Sequence, residues 1–363
     1  MRSFLPVTLI LLLGLPLVGV ALTGGDLLQY MEFPPQTRYV QHAPFAWPAF
    51  IALALFIVIS VGPFVLRIVR ANQAPKAGSR PRPAAFRFPL WGWAGVAFGL
   101  LAWVLAWTRF AWFERFQPFT FSPLWMAYIV VINALTFRRT GMSMLTHRPL
   151  YLTKLFALSA GFWWFFEYLN RFVQNWYYVG IGDLSPWEYF IFATLPFSTV
   201  LPAVLGTTEL LATFPRLSAG LDDFIAIRPR HPRVIGGAML AAAGAGLTGI
   251  GIWPDILFPL LWLAPLILIT SFQALRGQAT LFADLARGNW QRLWLLALSA
   301  LICGFFWEMW NYRSLAKWIY TVPYVYHFKL FEMPLLGYAG YLPFGLECAV
   351  VAMWVKGTEK GVL

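Results

Sequence analysis

Hydrophobic residues occur along the chain in ten long runs, separated by stretches that contain charged residues, Gly and Pro. An apolar helix of about 20 residues is long enough to cross a bilayer, so each run predicts a membrane-spanning helix. The predicted spans are 4–22, 46–68, 90–107, 122–137, 151–170, 187–212, 234–252, 255–273, 293–311 and 335–355. The pattern therefore predicts an all-α integral membrane protein.

The composition agrees with this class. Of the 363 residues, 60% are hydrophobic, 18% aromatic and only 12% charged, whereas a soluble chain has about 25% charged residues. This excludes a disordered chain and disfavours a soluble domain.

The first hydrophobic run, 4–22, is open to two interpretations. It is either a retained helix, which is the simpler one, or a cleaved signal peptide.

The Lys and Arg residues are unequally distributed between the two predicted sides of the membrane. Of the 27, 20 fall at the termini and in one set of alternate connections, and 7 fall in the other set. Because positive charge gathers on the cytoplasmic side, we expect both termini in the cytoplasm of a bacterium, with the chain in the inner membrane. The net charge of +12 then reflects topology, and we expect no nucleic-acid partner.

Two parts of the chain resemble each other. The runs 155–160 and 295–300 are similar, and each is followed by an aromatic stretch with Glu-x-x-Asn and then Trp-x-Tyr, at a nearly constant separation along the chain. Chance similarity between Leu- and Phe-rich helices is the alternative explanation. Repeats of four helices insert in the same orientation, so we expect parallel repeats related by an axis along the membrane normal. The predicted units are an N-terminal pair of helices (1–70), a basic cytoplasmic linker (71–88) and two four-helix repeats (89–213 and 234–357).

Acidic residues inside apolar helices are the first candidates for chemistry, because burying them is costly. A carboxyl surrounded by Trp and Phe is desolvated, which favours the neutral acid, and a neutral acid can donate its proton. Alternatively, such groups tie helices together by hydrogen bonds. A further acidic residue, Glu209, fits the cytoplasmic surface. The candidate catalytic residues are Glu167, Asn170, Glu308, Asn311, Glu332 and Glu347.

The external loops combine aromatic and basic residues. Such residues are typical membrane-interface anchors, but they could also form lids over a cavity that faces lipid, where Arg binds a phosphate head group. The candidate substrate-binding residues are Trp164, Arg171, Trp176, Tyr178, Trp307, Arg313, Lys317, Trp318, Tyr320 and His327.

Metal and cofactor chemistry has little support in the sequence. The four His residues fall in predicted loops, which disfavours a haem held inside the bundle. No His or Cys spacing matches a zinc site. Cys303 and Cys348 lie inside predicted spans and fit small apolar residues. We therefore expect no metal and no cofactor.

Residues 331–344 and 199–204 resemble a family of uncharacterised, aromatic-rich polytopic bacterial membrane proteins, and that resemblance implies no activity. A second, more distant resemblance is to the tandem heterodimer-type lycopene cyclases, small multispan enzymes that close isoprenoid rings by acid catalysis. It rests on the duplicated acidic residue beside Trp, the Trp-x-Tyr pattern, and a helix that opens with Pro and Glu.

The cyclase resemblance implies roles for particular positions. Trp307 and Glu308 would occupy the family's Trp-Asp position, and Glu332 with Pro334 its Pro-x-Glu-Glu region. The paired Glu-Glu is missing here, and the repeat has four helices rather than three.

Three functions remain open. The first is an enzyme that acts on an apolar or amphiphilic molecule, such as an isoprenoid or lipid, by general acid catalysis. The second is a transporter of a lipid-like molecule, and the third is a non-catalytic subunit or assembly factor with a membrane-protein partner. Membrane lipids surround the protein in all three cases.

Overall fold

The computed structural model describes residues 5–35, 41–74 and 86–355, and these are mostly helical. Most of the predicted linker and the basic residues at both termini lie outside these ranges. The α-helices are α1 (Leu5–Leu22), α2 (Trp47–Gln73), α3 (Leu90–Trp107), α4 (Phe121–Thr140), α5 (Met144–His147), α6 (Pro149–Val173), α7 (Pro186–Phe197), α8 (Val200–Ala212), α9 (Pro232–Ile250), α10 (Pro254–Leu257), α11 (Ala264–Leu275), α12 (Gln291–Arg313) and α13 (Tyr341–Ala352). The strands are β1 (Trp176–Val179), β2 (Lys317–Tyr320), β3 (Lys329–Leu330) and β4 (Met333–Pro334).

The helices match the predicted class. Eight segments of the described chain are long and apolar enough to cross a membrane, or nine if the bent pair Pro254–Leu261 and Ala264–Leu275 is one span. The remaining predicted span coincides with α6, which carries Lys154, Glu167 and Arg171 and is not among these segments. The all-α class is confirmed, and ten spans remain a prediction.

Similar helix contacts recur in the two halves of the chain. In the first half, α3 packs against α4, and α8 packs against both α4 and α6. In the second half, α9 packs against α11, and α13 packs against both α11 and α12. Helix α12 also packs against α8, so these contacts join the halves through α8, α12 and α13.

Glycines permit two very close helix contacts. A Cβ atom on Gly345 of α13 would lie 2.1 Å from the carbonyl oxygen of Leu296 on α12. A Cβ atom on Gly19 of α1 would lie 1.9 Å from the carbonyl oxygen of Thr248 on α9. Only a residue without a side chain fits such approaches. Helix α1 is thus packed against the second half of the chain.

Two short antiparallel sheets depart from a purely helical structure. Strand β1 follows α6 and pairs with β2, which follows α12, while β3 pairs with β4. The β1–β2 register joins Trp176 to Tyr320 and Tyr178 to Trp318. We refer to the end of the bundle that carries β1 and β2 as the strand end. Both predicted Glu-x-x-Asn stretches lie at this end, because each is in the last turns of the helix before a strand.

Candidate functional site

The β1–β2 pair directs four aromatic side chains to one face. Side chains alternate between the two faces of a strand, so Trp176 and Tyr178 share a face of β1, and Trp318 and Tyr320 share a face of β2. The hydrogen bonds described below place this face over the helix ends that carry the two glutamates. The repeated Trp-x-Tyr spacing is therefore the spacing that a strand requires.

Each predicted asparagine fastens a strand to its helix. On α12, the Asn311 Nδ2 atom donates to the carbonyl oxygen of Trp318 at 2.8 Å, and Oδ1 accepts from the backbone N–H of Trp318 at 2.8 Å. On α6, the Asn170 Nδ2 atom donates to the carbonyl oxygen of Trp176 at 2.8 Å, and Oδ1 accepts from the backbone N–H of Asn175 at 2.9 Å. Both side chains are buried. Their amides therefore position the aromatic strand residues.

Replacing Asn311 with Ala is expected to lower the free energy of unfolding by about 2 kcal/mol, because two main-chain groups of Trp318 lose their buried side-chain partner. Chemical denaturation of the purified protein in detergent measures this change. Asn170→Ala should have a similar effect, while Asn72→Ala, where the side chain bonds backbone at a largely exposed site, should have a small one. An unchanged midpoint for Asn311→Ala would contradict the positioning role.

Glu167 is held by three donors on one oxygen. Its Oε1 atom accepts from Trp163 Nε1 at 3.0 Å, Trp176 Nε1 at 3.1 Å and the Tyr178 hydroxyl at 2.5 Å. The donors come from α6 and β1, and the Glu167 side chain is buried. One oxygen of this carboxyl therefore fastens β1 to α6.

Glu308 has a different environment. Its Oε1 atom accepts from the Tyr320 hydroxyl and the Tyr341 hydroxyl, each at 2.7 Å. Trp318 reaches the carboxyl indirectly, since its Nε1 atom donates to the Tyr320 hydroxyl at 2.9 Å. The Oε2 atom is buried and has no hydrogen-bond partner among the described residues. Glu308 is thus fully buried with one of its two carboxyl oxygens lacking a hydrogen bond from the described residues.

Each glutamate accepts one hydrogen bond from a helix, but the donor helices differ: Trp163 of α6 donates to Glu167, and Tyr341 of α13 donates to Glu308. Trp163 lies four residues before Glu167, and the residue four before Glu308 is Gly304. The space above Gly304 is occupied by Tyr341, whose ring would lie 2.3 Å from a Cβ atom at this position. Gly304 thus makes room for Tyr341 of α13, which donates to Glu308. At Glu167, the corresponding donor is the indole of Trp163 on α6.

An aromatic layer connects the two glutamates. It consists of Trp163, Trp262, Trp307 and Phe344. The ring centroids of Trp163 and Trp307 are 6.4 Å apart, and Phe344 lies 5.9 Å from Trp163 and 6.2 Å from Trp307. Trp262 lies 5.8 Å from Phe344. These rings give the region an apolar, aromatic character, and the face of an aromatic ring attracts cations.

The strand tyrosines stay protonated. Burial, followed by the nearby Glu167 carboxyl, raises the pKa of Tyr178 well above its usual value. Burial and Glu308 do the same to the pKa of Tyr320. Both hydroxyls are therefore permanent hydrogen-bond donors to the carboxyls.

Several predicted site residues have other partners. Trp164 donates to the Thr194 hydroxyl on α7 at 2.9 Å, and Arg171 donates to the backbone oxygens of Tyr30 and Glu32. The Arg313 guanidinium lies over the ring of Trp107, and His327 stacks on Phe45.

The remaining acidic candidates do not share the hydrogen-bond donors of Glu167 and Glu308. Lys317 forms an ion pair with Glu332 at 2.6 Å. Glu347 is fully buried on α13, with no partner for either oxygen among the described residues. It lies six residues beyond Tyr341, about 9 Å along the helix axis. Glu209 forms an ion pair with Arg148.

Three important side chains were not predicted from the sequence. Trp163 and Tyr341 donate to the glutamates, and His42 bonds to Asp255 on α10. The position of Trp163 four residues before Glu167, one helical turn away, could have indicated its contact. Tyr341 and His42 have no such local signal, because their partners are distant in sequence. Within the described ranges, no three His, Cys, Asp or Glu side chains are grouped so as to hold a metal.

Comparisons with known proteins found no matching family model, no matching curated protein and no matching solved structure.

Proposed function

We propose that the protein is a membrane-embedded enzyme that acts on an apolar isoprenoid or lipid substrate by general acid catalysis, with Glu308 as the acid. The observation that carries this proposal is the divided environment of Glu308. Two tyrosine hydroxyls hold Oε1, while buried Oε2 has no protein partner among the described residues. A carboxyl that only joins helices is expected to have both oxygens satisfied, because an unpartnered buried polar atom is costly.

The chemistry that fits these groups is cyclisation or isomerisation. The neutral Glu308 acid adds its proton to a carbon–carbon double bond of the substrate, which leaves a carbocation. The faces of the aromatic layer stabilise that cation. In a cyclisation, a second double bond of the substrate first attacks this cation and closes the ring, which moves the positive charge to another carbon. Loss of a proton from a carbon next to the cation to the Glu308 carboxylate then forms a new double bond and restores the acid, whose proton exchanges with water before the next turnover. These reaction steps are redox-neutral, so they require no redox cofactor.

We also infer that the two halves are a duplicated unit. The step along the chain from Glu167 to Glu308 equals the step from Asn170 to Asn311, and the strand motifs follow one another at nearly the same step. The shift that carries Trp176 onto Trp318 also carries Tyr178 onto Tyr320. If the two halves are exchanged, Trp176 takes the place of Trp318 and Tyr320 takes the place of Tyr178. The pair Trp176–Tyr320 then becomes the pair Trp318–Tyr178, which is also present in the β1–β2 ladder. The ladder is thus symmetric about the pair Tyr177–Ile319, where a two-fold axis along the membrane normal would pass.

The orientation follows from the charges. We place the strand end in the periplasm of a bacterium and the opposite end, with both termini, in the cytoplasm. Cys303 and Cys348 are buried, so introduced cysteines can report the sides. Asp183→Cys, in an exposed loop at the strand end, should react with a membrane-impermeant maleimide in intact cells. Asp222→Cys, in the exposed loop between α8 and α9, should react only after permeabilisation. The reverse pattern would contradict the orientation.

Two alternatives have one observation each. Transport of a lipid-like molecule is favoured by the bend of 54° between Pro254–Leu261 and Ala264–Leu275, since broken helices often line transport sites. A membrane-protein partner is favoured by α2, which has no buried residue over its 27 residues.

Conversion in a purified system distinguishes these functions. The purified protein in detergent is added to the apolar extract of cells that lack its gene, and the extract is analysed by mass spectrometry. An enzyme converts one compound into an isomer of the same mass that is also found in wild-type cells. An unchanged extract, with protein that is folded, would contradict the enzyme proposal and favour transport or assembly.

A further inference from the structure

A segment before α2 crosses the strand end and contacts both halves of the chain. We call residues 41–46 the strap. The backbone N–H of Ala43 donates to Asp255 Oδ2 on α10 at 2.9 Å, and its carbonyl oxygen accepts from the N–H of Tyr324 at 3.3 Å. The N–H of Ala46 donates to the carbonyl oxygen of Tyr324 at 3.0 Å. The strap is therefore fixed to α10 and to the loop after β2.

His42 lies at the centre of these contacts, between two hydrogen-bond acceptors. Its Nδ1 atom is 2.5 Å from Asp255 Oδ1, and its Nε2 atom is 3.2 Å from the carbonyl oxygen of Gln174. A neutral imidazole has one N–H, whereas an imidazolium has two. A carboxylate and a backbone carbonyl cannot donate in return. The ring therefore bridges Asp255 on α10 and the carbonyl oxygen at the end of α6.

The backbone that His42 contacts leads directly to both glutamates. Gln174 ends α6 in the left-handed region, with φ of 45°, two residues before Trp176. Its carbonyl oxygen also accepts from the Thr321 hydroxyl at 2.6 Å, and Thr321 follows Tyr320 in sequence. One carbonyl thus connects His42 to the start of β1 and the end of β2, the strands whose side chains donate to Glu167 and Glu308.

Other ionisable side chains come from the elements that pack around the strap. Asp255 is the one on α10, and Arg171 lies in the last turn of α6 with its own backbone partners. His327, in the loop before β3, stacks on Phe45 of the strap at 4.1 Å. On β2, Lys317 is paired with Glu332. Of these groups, Asp255 is the one bonded to the His42 ring.

We infer that His42, with Asp255, is a positioning residue for the Glu308 site: the ring fastens the strap to Gln174 and so holds the β1–β2 pair over the carboxyl. This inference rests on the proposed function only for its effect on catalysis. Removal of the ring eliminates its contacts with Asp255 and with the Gln174 carbonyl oxygen, so the strand pair is held less firmly.

Hydrogen–deuterium exchange measures this effect without any substrate. We expect the backbone amides of residues 174–179 and 317–321 to be about tenfold less protected in His42→Gln than in the wild type at the same pH. A bond to a charged group has roughly this effect on an opening equilibrium. The control His231→Gln, at an exposed position before α9, should behave like the wild type.

Two results would overturn the inference. One is equal protection of residues 174–179 and 317–321 in the wild type and in His42→Gln. The other is a spectrum of the ¹⁵N-histidine-labelled wild type in which neither ring nitrogen of His42 is hydrogen-bonded, a measurement that does not depend on a variant that folds. If exchange behaves as expected but no substrate is converted at any pH, the proposed function fails and the positioning of the strands remains.

Discussion

Replacing Glu308 with Gln is expected to reduce product formation at least about 100-fold, because a general acid contributes about 10²–10⁴ in rate. The amide keeps the shape of the side chain and an oxygen that accepts from Tyr320 and Tyr341. It cannot supply the acid proton that the unpartnered Oε2 atom would carry. Product formation is measured per folded protein in purified samples, so that a change in membrane abundance does not enter the result.

Two matched variants define the cause of this loss. Glu167→Gln changes the same chemical group in the other half, where three donors already hold one oxygen, and should reduce product formation much less. Glu308→Asp keeps the carboxyl but shortens the side chain, and should retain more activity than Glu308→Gln. Full activity in Glu308→Gln, or equal losses in Glu167→Gln and Glu308→Gln, would remove Glu308 from its role as the acid.

Replacing Gly345 with Ala is expected to lower the free energy of unfolding by about 3 kcal/mol, at the upper end for an overpacked core. The added Cβ atom would lie 2.1 Å from the Leu296 carbonyl oxygen and 3.0 Å from the Ala300 Cβ atom. The first neighbour is backbone within α12 and cannot rotate away. The substitution must therefore separate α12 from α13, the helices that carry Glu308 and Tyr341.

The control for this prediction is Gly161→Ala on α6. No atom lies within 4 Å of a Cβ atom at that position, and Ala is favoured over Gly in a helix by up to about 1 kcal/mol. Chemical denaturation in detergent should therefore show Gly161→Ala to be as stable as the wild type or more so. Equal stability of Gly345→Ala and the wild type would mean that the α12–α13 contact is looser than described.

The hydrophobic runs predicted where the helices lie, but they did not predict where two of these helices are interrupted. The predicted span 187–212 contains the break between α7, which ends at Phe197, and α8, which begins at Val200. The predicted span 255–273 contains the bend before Ala264. Proline explains both, because Pro lacks an N–H and clashes with the preceding turn. Hydropathy averaged over a window does not register such single residues, although Pro196 and Pro202 in the sequence indicate the first break.

The candidate site could be predicted only as far as local spacing reaches. Glu-x-x-Asn identified the two carboxyls and the two amides, since residues three apart share a helical face. The pairing of β1 with β2 was not predicted, because each strand is short and its partner lies in the other half of the chain. The contact of His42 with Asp255 was not predicted either, because the two residues are far apart in sequence. The contact of Tyr341 with Glu308 joins two different helices.

The most direct test of acid catalysis by Glu308 is the incorporation of solvent deuterium. Purified wild-type protein and Glu308→Gln are incubated in D₂O with the compound identified in the apolar extract, and the product is analysed by mass spectrometry. The account predicts a product from the wild type that carries one carbon-bound deuterium, and no such product from Glu308→Gln. A product that forms without solvent deuterium, or that gains it equally in Glu308→Gln, would contradict the account.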